Sequence, residues 1–149
     1  MKITILLLTC LLGAAAAVSA GPFANTDKNG LGLQGYDPVA YFTRGTPAKG
    51  DAQFTASHDG VTYRFSSAAN KALFESAPAR YAPQFGGYCA WAVSQGYTAS
   101  IDPEAFQIVD GRLLLQYSLG IRAKFSKDTT GNLAKADANW PKISAEGKK

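Results

Sequence analysis

The sequence predicts an α+β protein, a small antiparallel sheet built from two β-hairpin-plus-helix units. Three observations carry this expectation. Asp59-Gly60 and Asp110-Gly111 each stand between short strand-like segments, and Asp-Gly in that setting is a strong short-range hairpin signal. Each hairpin is followed by serine, Ser66-Ser67 in the first case and Ser118 in the second, suited to cap a helix. Each of those helices carries a phenylalanine, Phe74 and then Phe125. The same order of features therefore occurs twice, as a similarity of pattern with slight identity.

The chain of 149 residues opens on Lys2, an apolar run from Ile3 to Leu12 and a small-residue stretch ending in Val18-Ser19-Ala20. That succession reads as a cleavable signal peptide over residues 1–20 and predicts a periplasmic or otherwise exported protein. The uncharged stretch from Ile3 to Ala20 is short for a membrane span and no basic stop-transfer cluster follows it, so no span is expected in the mature form. Removing residues 1–20 takes away one charge, Lys2, and lowers the formal net charge from +4 to +3. This is a mild excess with no basic stripe or nucleic-acid motif, which argues against nucleic acid as a partner. What is left suffices for one domain with a real core. Residues 21–34 read as an irregular lead-in, 35–141 as a single domain and 142–149 as a solvated basic tail with Lys142, Lys148 and Lys149.

Within the domain, Asp37-Pro38 makes a turn before the apolar patch Val39–Phe42, and Thr46–Asp51 is a loop. Strands are expected over Ala52–His58 and Val61–Phe65. A helix capped by Ser66 or Ser67 should run to Ala77, where Pro78 ends it, with Ala69, Leu73 and Ala77 on one face and Phe74 beside them. Gly86-Gly87 opens an apolar, aromatic segment through Val93. Gly96–Glu104 reads as a loop with Asp102-Pro103 as its turn. The second hairpin spans Phe106–Val109 and Arg112–Tyr117; a helix from Ser118 carries Ile121 and Phe125, and a short last helix covers about Leu133–Ala138.

From Gly35 onward the chain resembles the YHS domain, a small treble-clef-like metal-binding module. Asp37-Pro38-Val39 looks like the module's opening Asp-Pro-Val-Cys. Asp59 to Ser67 is similar to its Gly-x-x-Tyr-x-Phe-Cys-Ser segment, and Phe74, Pro78 and Tyr81 fall where that family has Phe, Pro and Tyr. The longer run through Gly86–Ala90 to Asn139-Trp140-Pro141 resembles an exported bacterial subgroup. The resemblance implies the module's fold and a metal-handling function. It also exposes a departure: Ala40, Ser66 and Asn70 stand where metal-binding members have cysteines, and none of these side chains is a good ligand for a soft metal.

Chemistry-bearing residues are few. Cys10 leaves with the signal, so the mature chain holds Cys89 alone and can form no internal disulfide. A thiolate there suits Cu(I) first and Zn(II) second, and His58 is the one histidine that can join it. A closed tetrahedral site needs four ligands, so carboxylates such as Asp37 or Asp59, a second chain or water would complete it. Against this stands Cys89 as a small buried hydrophobe. Asp37, Tyr63, Tyr88 and Trp91 are candidate pocket-lining residues, with Asp37 also an Asx-turn residue. No nucleophile elbow, phosphate loop or His-Glu-x-x-His occurs, and a Cys89–His58 pair is all that a catalytic reading has, so the expectation is a non-enzymatic module. Two readings result: an exported metal-ion module, copper before zinc, using Cys89 and His58, or a metal-free module that takes a small ligand or a protein partner.

Overall fold

The computed structural model describes residues 23–147, and the predicted signal segment 1–20 lies outside them. The α+β expectation holds, with the strands in two separate antiparallel pairs. In the first, β1 (Asp51–His58) pairs with β2 (Val61–Phe65); in the second, β3 (Asp102–Val109) pairs with β4 (Arg112–Gln116). Both tips are the predicted Asp-Gly turns. Asp59 and Gly60 have φ of 50° and 78°, and Asp110 and Gly111 have 51° and 74°. Positive φ at both central residues is what a type I′ turn requires and what matches the twist of the flanking strands.

The first helices are α1 (Ala40–Thr43), α2 (Ala68–Ser76), α3 (Pro78–Tyr81) and α4 (Ala90–Ser94). Two more follow, α5 (Leu119–Phe125) and the long α6 (Thr129–Glu146). Ser67 and Ser118 are the caps: each hydroxyl accepts the N–H three residues on, from Asn70 and Ile121 respectively, at 3.1 Å.

Three expectations need correction, and a fourth holds with an addition. The buried face of α2 is not Ala69–Leu73, since Ala69 is exposed and Leu73 is 40% exposed. The inward stripe is Asn70, Phe74 and Ala77, rotated by one residue, or about 100°. Asn70 is the cause: its amide is bonded to Asp37 inside the protein, and that bond sets the helix's rotation. Pro78 ends α2 but at once opens α3, where its missing N–H has no partner to lose. Asp102-Pro103-Glu104 belongs to β3, not to a loop; it precedes an irregularity between Asp102 and Phe106 that re-aims the strand. The last helix runs through Asn139-Trp140-Pro141 and carries Lys142, the start of the expected tail, within its body. Tertiary contacts hold it there. The Asn139 amide donates to the carbonyls of Val93 and Ser94 at the end of α4, and Trp140 packs on Phe85 and Phe23. Among the described residues no helix is long and apolar enough to cross a membrane.

The core forms on both faces of β4. Leu113 and Leu115 point into a cluster with Tyr41, Phe65 and Phe74, while Leu114 points into one with Phe85, Val93 and Phe125. The period-2 alternation of a strand puts consecutive leucines into opposite clusters, so an uninterrupted apolar run here means burial on two sides.

Arg112, at the start of β4, crosses to α6 with a forked bond: its Nη1 donates to Asp137 Oδ2 at 2.9 Å and its Nη2 to Oδ1 at 2.6 Å. The guanidinium holds the Asp137 carboxyl below its ordinary value of 3.8. A depressed carboxyl contributes stability that is present above its unfolded value and is lost as pH falls through the folded one. Asp137 is half exposed, so solvent screens the pair. Asp137→Asn is expected to cost about 0.5 kcal/mol at neutral pH. The difference from the parent should hold down to about pH 4 and fade only below it, as Asp137 is protonated through its depressed folded value, in paired thermal melts.

The duplicated pattern of the sequence is a duplicated structure. Each unit opens on a tight turn with three successive positive φ values, Leu33-Gln34-Gly35 at 52°, 53° and 83° and Phe85-Gly86-Gly87 at 57°, 60° and 78°. In the second turn a Cβ on Gly86 would lie 2.9 Å from the Phe23 carbonyl oxygen, so glycine serves both the dihedral and the close approach. Each turn is followed by a tyrosine, a buried residue and a short helix: Tyr36, Asp37, α1 and Tyr88, Cys89, α4. Each is then followed by a hairpin, a serine cap and a helix with a buried phenylalanine in its last turn. Asp37 in the first unit therefore has Cys89 as its counterpart in the second.

Candidate functional site

Asp37 is fully buried, and its carboxylate accepts five hydrogen bonds. Oδ1 takes the N–H groups of Val39 at 2.8 Å and Ala40 at 3.3 Å, the Asx-type turn expected from Asp-Pro. Oδ2 takes the Ser66 N–H at 2.8 Å, the Ser66 hydroxyl at 2.7 Å and the Asn70 amide at 2.8 Å. Ala40, Ser66 and Asn70, the three positions where the resemblance expects cysteine, thus all meet at this one carboxylate. Charge-assisted bonds fill the space, so the first unit is saturated and closed.

The second unit differs at the same place. Cys89 is 1% exposed, and its thiol donates to Gln116 Oε1 at 3.4 Å and accepts the Tyr117 N–H at 3.3 Å. Gln116, fully buried at the end of β4, also accepts the Trp91 N–H at 3.0 Å. It thereby satisfies the start of α4 as Asp37 satisfies the start of α1. Next to the thiol lies a cavity of about 200 Å³, lined by Cys89, Trp91, Ala92, Tyr97, Ala99, Tyr117 and Ile121. Its mouth is formed by Tyr97 and Tyr117, 53% and 60% exposed, while Cys89 and Ala92 are buried at its floor. Lys124 holds its ammonium 5.0 Å from the centre of the Trp91 ring, and no carboxylate lines the cavity.

Of the residues singled out from sequence, Cys89 and Trp91 meet in this pocket. Asp37 is the centre of the closed cluster instead. Tyr63 is buried against Phe74, and burial pushes its hydroxyl well above the ordinary range. Tyr88 stacks with Phe23 and Trp140, and burial raises it too. His58 stands at the first hairpin tip, its Nε2 3.3 Å from Asp59 and its ring edge-on to Phe74. The neighbours of Cys89 are Gln116 and Tyr117, so His58 and Cys89 share no partner. Among the described residues no group of three or more His, Cys, Asp or Glu side chains gathers to hold an ion.

Gln116, Tyr97, Ala99, Tyr117 and Ile121 were not anticipated. A signal for two of them was present: aligning the repeated units puts Tyr117 opposite Ser66 and Ile121 opposite Asn70, the residues that close the first unit. Fold and site together define an α+β protein of two similar units, one sealed by a buried carboxylate and one open as an apolar pocket. Comparison with family models, with curated proteins and with solved structures finds no match to this chain.

Proposed function

We propose that this chain is an exported, non-catalytic binding module, a diverged relative of the YHS domain that takes a small, largely apolar ligand in the Cys89 pocket. The observation that carries this reading is the cavity of about 200 Å³ walled by Trp91, Tyr97, Tyr117 and Ile121, whose surface is mostly apolar. Concave, apolar sites edged by aromatic residues are where small molecules bind, and dry cavities of about 150 Å³ already accept a benzene-sized molecule. The meeting of Ala40, Ser66 and Asn70 around Asp37 favours the family reading, and the lack of a thiol at all three positions favours a module without the family's metal. The copper reading keeps Cys89 as its one thiol ligand, with Gln116 Oε1 beside it.

Calorimetric titration with indole tests the proposal. A ligand of this size in an apolar pocket should bind with a Kd of roughly 10⁻⁴ M. Ala99→Phe, which pushes a ring into the cavity, should weaken it at least tenfold while the thermal midpoint holds. Equal heats from both proteins would sink the pocket reading. Saturable one-to-one uptake of Cu(I), lost in Cys89→Ser and with no indole binding, would replace it with the metal reading.

A further inference from the structure

We infer that the pocket is the second unit's version of the Asp37 cluster, that Cys89, Tyr117 and Ile121 are the residues that open it, and that its ligand is a planar ring that carries no positive charge. This rests on the binding reading above and specifies it.

The equivalence is backbone-deep. Gly32 N–H bonds the Thr62 carbonyl and Gln84 N–H bonds the Leu113 carbonyl, both at 2.9 Å, tying each opening turn to the same place on its hairpin. The strand irregularities fall at Asp51–Thr55 and Asp102–Phe106, and each begins at an aspartate whose Oδ1 accepts the N–H two residues on. After the second strand, the Ser66 N–H reaches Asp37 Oδ2 and the Tyr117 N–H reaches Cys89 Sγ. One frame thus presents two sets of side chains. In the first unit the Ser66 hydroxyl and the Asn70 amide turn inward onto the carboxylate and consume the space. In the second, Ile121 carries no polar group to bond inward, and Tyr117 lies largely in solvent at the mouth. What remains between them is the cavity.

The same comparison sets the ligand's chemistry. No carboxylate lines the pocket to pair a cation, and the Lys124 ammonium beside Trp91 is itself positive, so a buried positive charge would have no partner and is strongly disfavoured. The walls are ring faces and aliphatic carbons, which suit a flat apolar body, with any polar substituent left at the Tyr97–Tyr117 mouth or under the Lys124 ammonium. A benzene- to indole-sized molecule fits the volume.

The experiment compares indole with the tryptamine cation on the full chain and on two variants. Indole should bind the parent at least tenfold more tightly than tryptamine. Cys89→Asp combined with Ile121→Asn restores two of the three polar members of the first unit, the counterparts of Asp37 and Asn70, and should weaken indole at least tenfold. Ile121→Ala, a milder change in case the first variant fails to fold, should leave indole within threefold and improve 1-naphthol at least fivefold. If the parent binds indole but Ile121→Ala leaves 1-naphthol unchanged, or if tryptamine binds as well as indole, the inference fails and the binding reading stands. If the parent binds neither, both fall.

Discussion

Replacing Asp37 with alanine is expected to destabilise the protein by about 4 kcal/mol, a large share of what a domain of this size has to lose. The side chain is fully buried and receives five donors, three of them backbone N–H groups of Val39, Ala40 and Ser66. Those groups are fixed by the turn and by the hairpin's end, so they cannot rotate toward other acceptors. Each orphaned donor costs about 1–3 kcal/mol when water cannot reach it. Some of that is recovered, because the Asn70 amide already lies 3.3 Å from the Ser66 hydroxyl and the two can bond each other. Asp37→Asn should cost less, about 2–3 kcal/mol, since one oxygen still accepts while the new amide faces donors. Cys89→Ala, at the equivalent place, should cost only about 1 kcal/mol: it removes a small group beside an existing cavity and releases two weak sulfur hydrogen bonds. Urea denaturation of the three variants checks the order. A loss under about 1 kcal/mol for Asp37→Ala would show that water or a shifted backbone satisfies the turn.

The contrast between these two positions also marks what the sequence made legible. Hairpins, serine caps and the doubling of the unit depend on local rules: Asp-Gly permits two positive φ values, and a serine hydroxyl reaches an N–H three residues on. Those features could be read directly. The inward stripe of α2 could not, because Asn70 is polar and counts against burial in any hydrophobic pattern, yet its partner is a carboxylate 33 residues away. The length of α6 was hidden for a similar reason: Pro141 argues for a stop, and the contacts that carry the helix through it come from Val93, Ser94 and Phe85. For the site, Cys89 and Trp91 were visible as residue types. The pocket itself arises from what is missing relative to the first unit, a comparison that needs the equivalence of Asp37 with Cys89.

The second large effect is expected at Phe74 and Phe125, the equivalent phenylalanines in the last turns of α2 and α5. Both are buried, 1% and 0% exposed, and truncation of such a ring to alanine costs about 3–5 kcal/mol from lost transfer energy and residual cavity. Phe74 should lie at the upper end. Its ring is held by Phe65 at 5.0 Å and Tyr63 at 5.3 Å between centroids, with His58 edge-on at 6.2 Å, so its removal leaves three rings facing a void. Phe125 packs in the other cluster with Leu114, Val93 and Ala136, where α6 can settle inward and shrink the hole. The two variants should therefore differ by about 1 kcal/mol in denaturant unfolding although the chemical change is the same. They should differ in kind as well. Phe125 anchors α5, the helix that carries Ile121 into the pocket, so Phe125→Ala should weaken indole several-fold, whereas Phe74→Ala should leave it unchanged while the protein stays folded. Indole affinities that fall equally in both would mean that the pocket responds to global stability, and that the two units are not separable in the way the paired geometry implies.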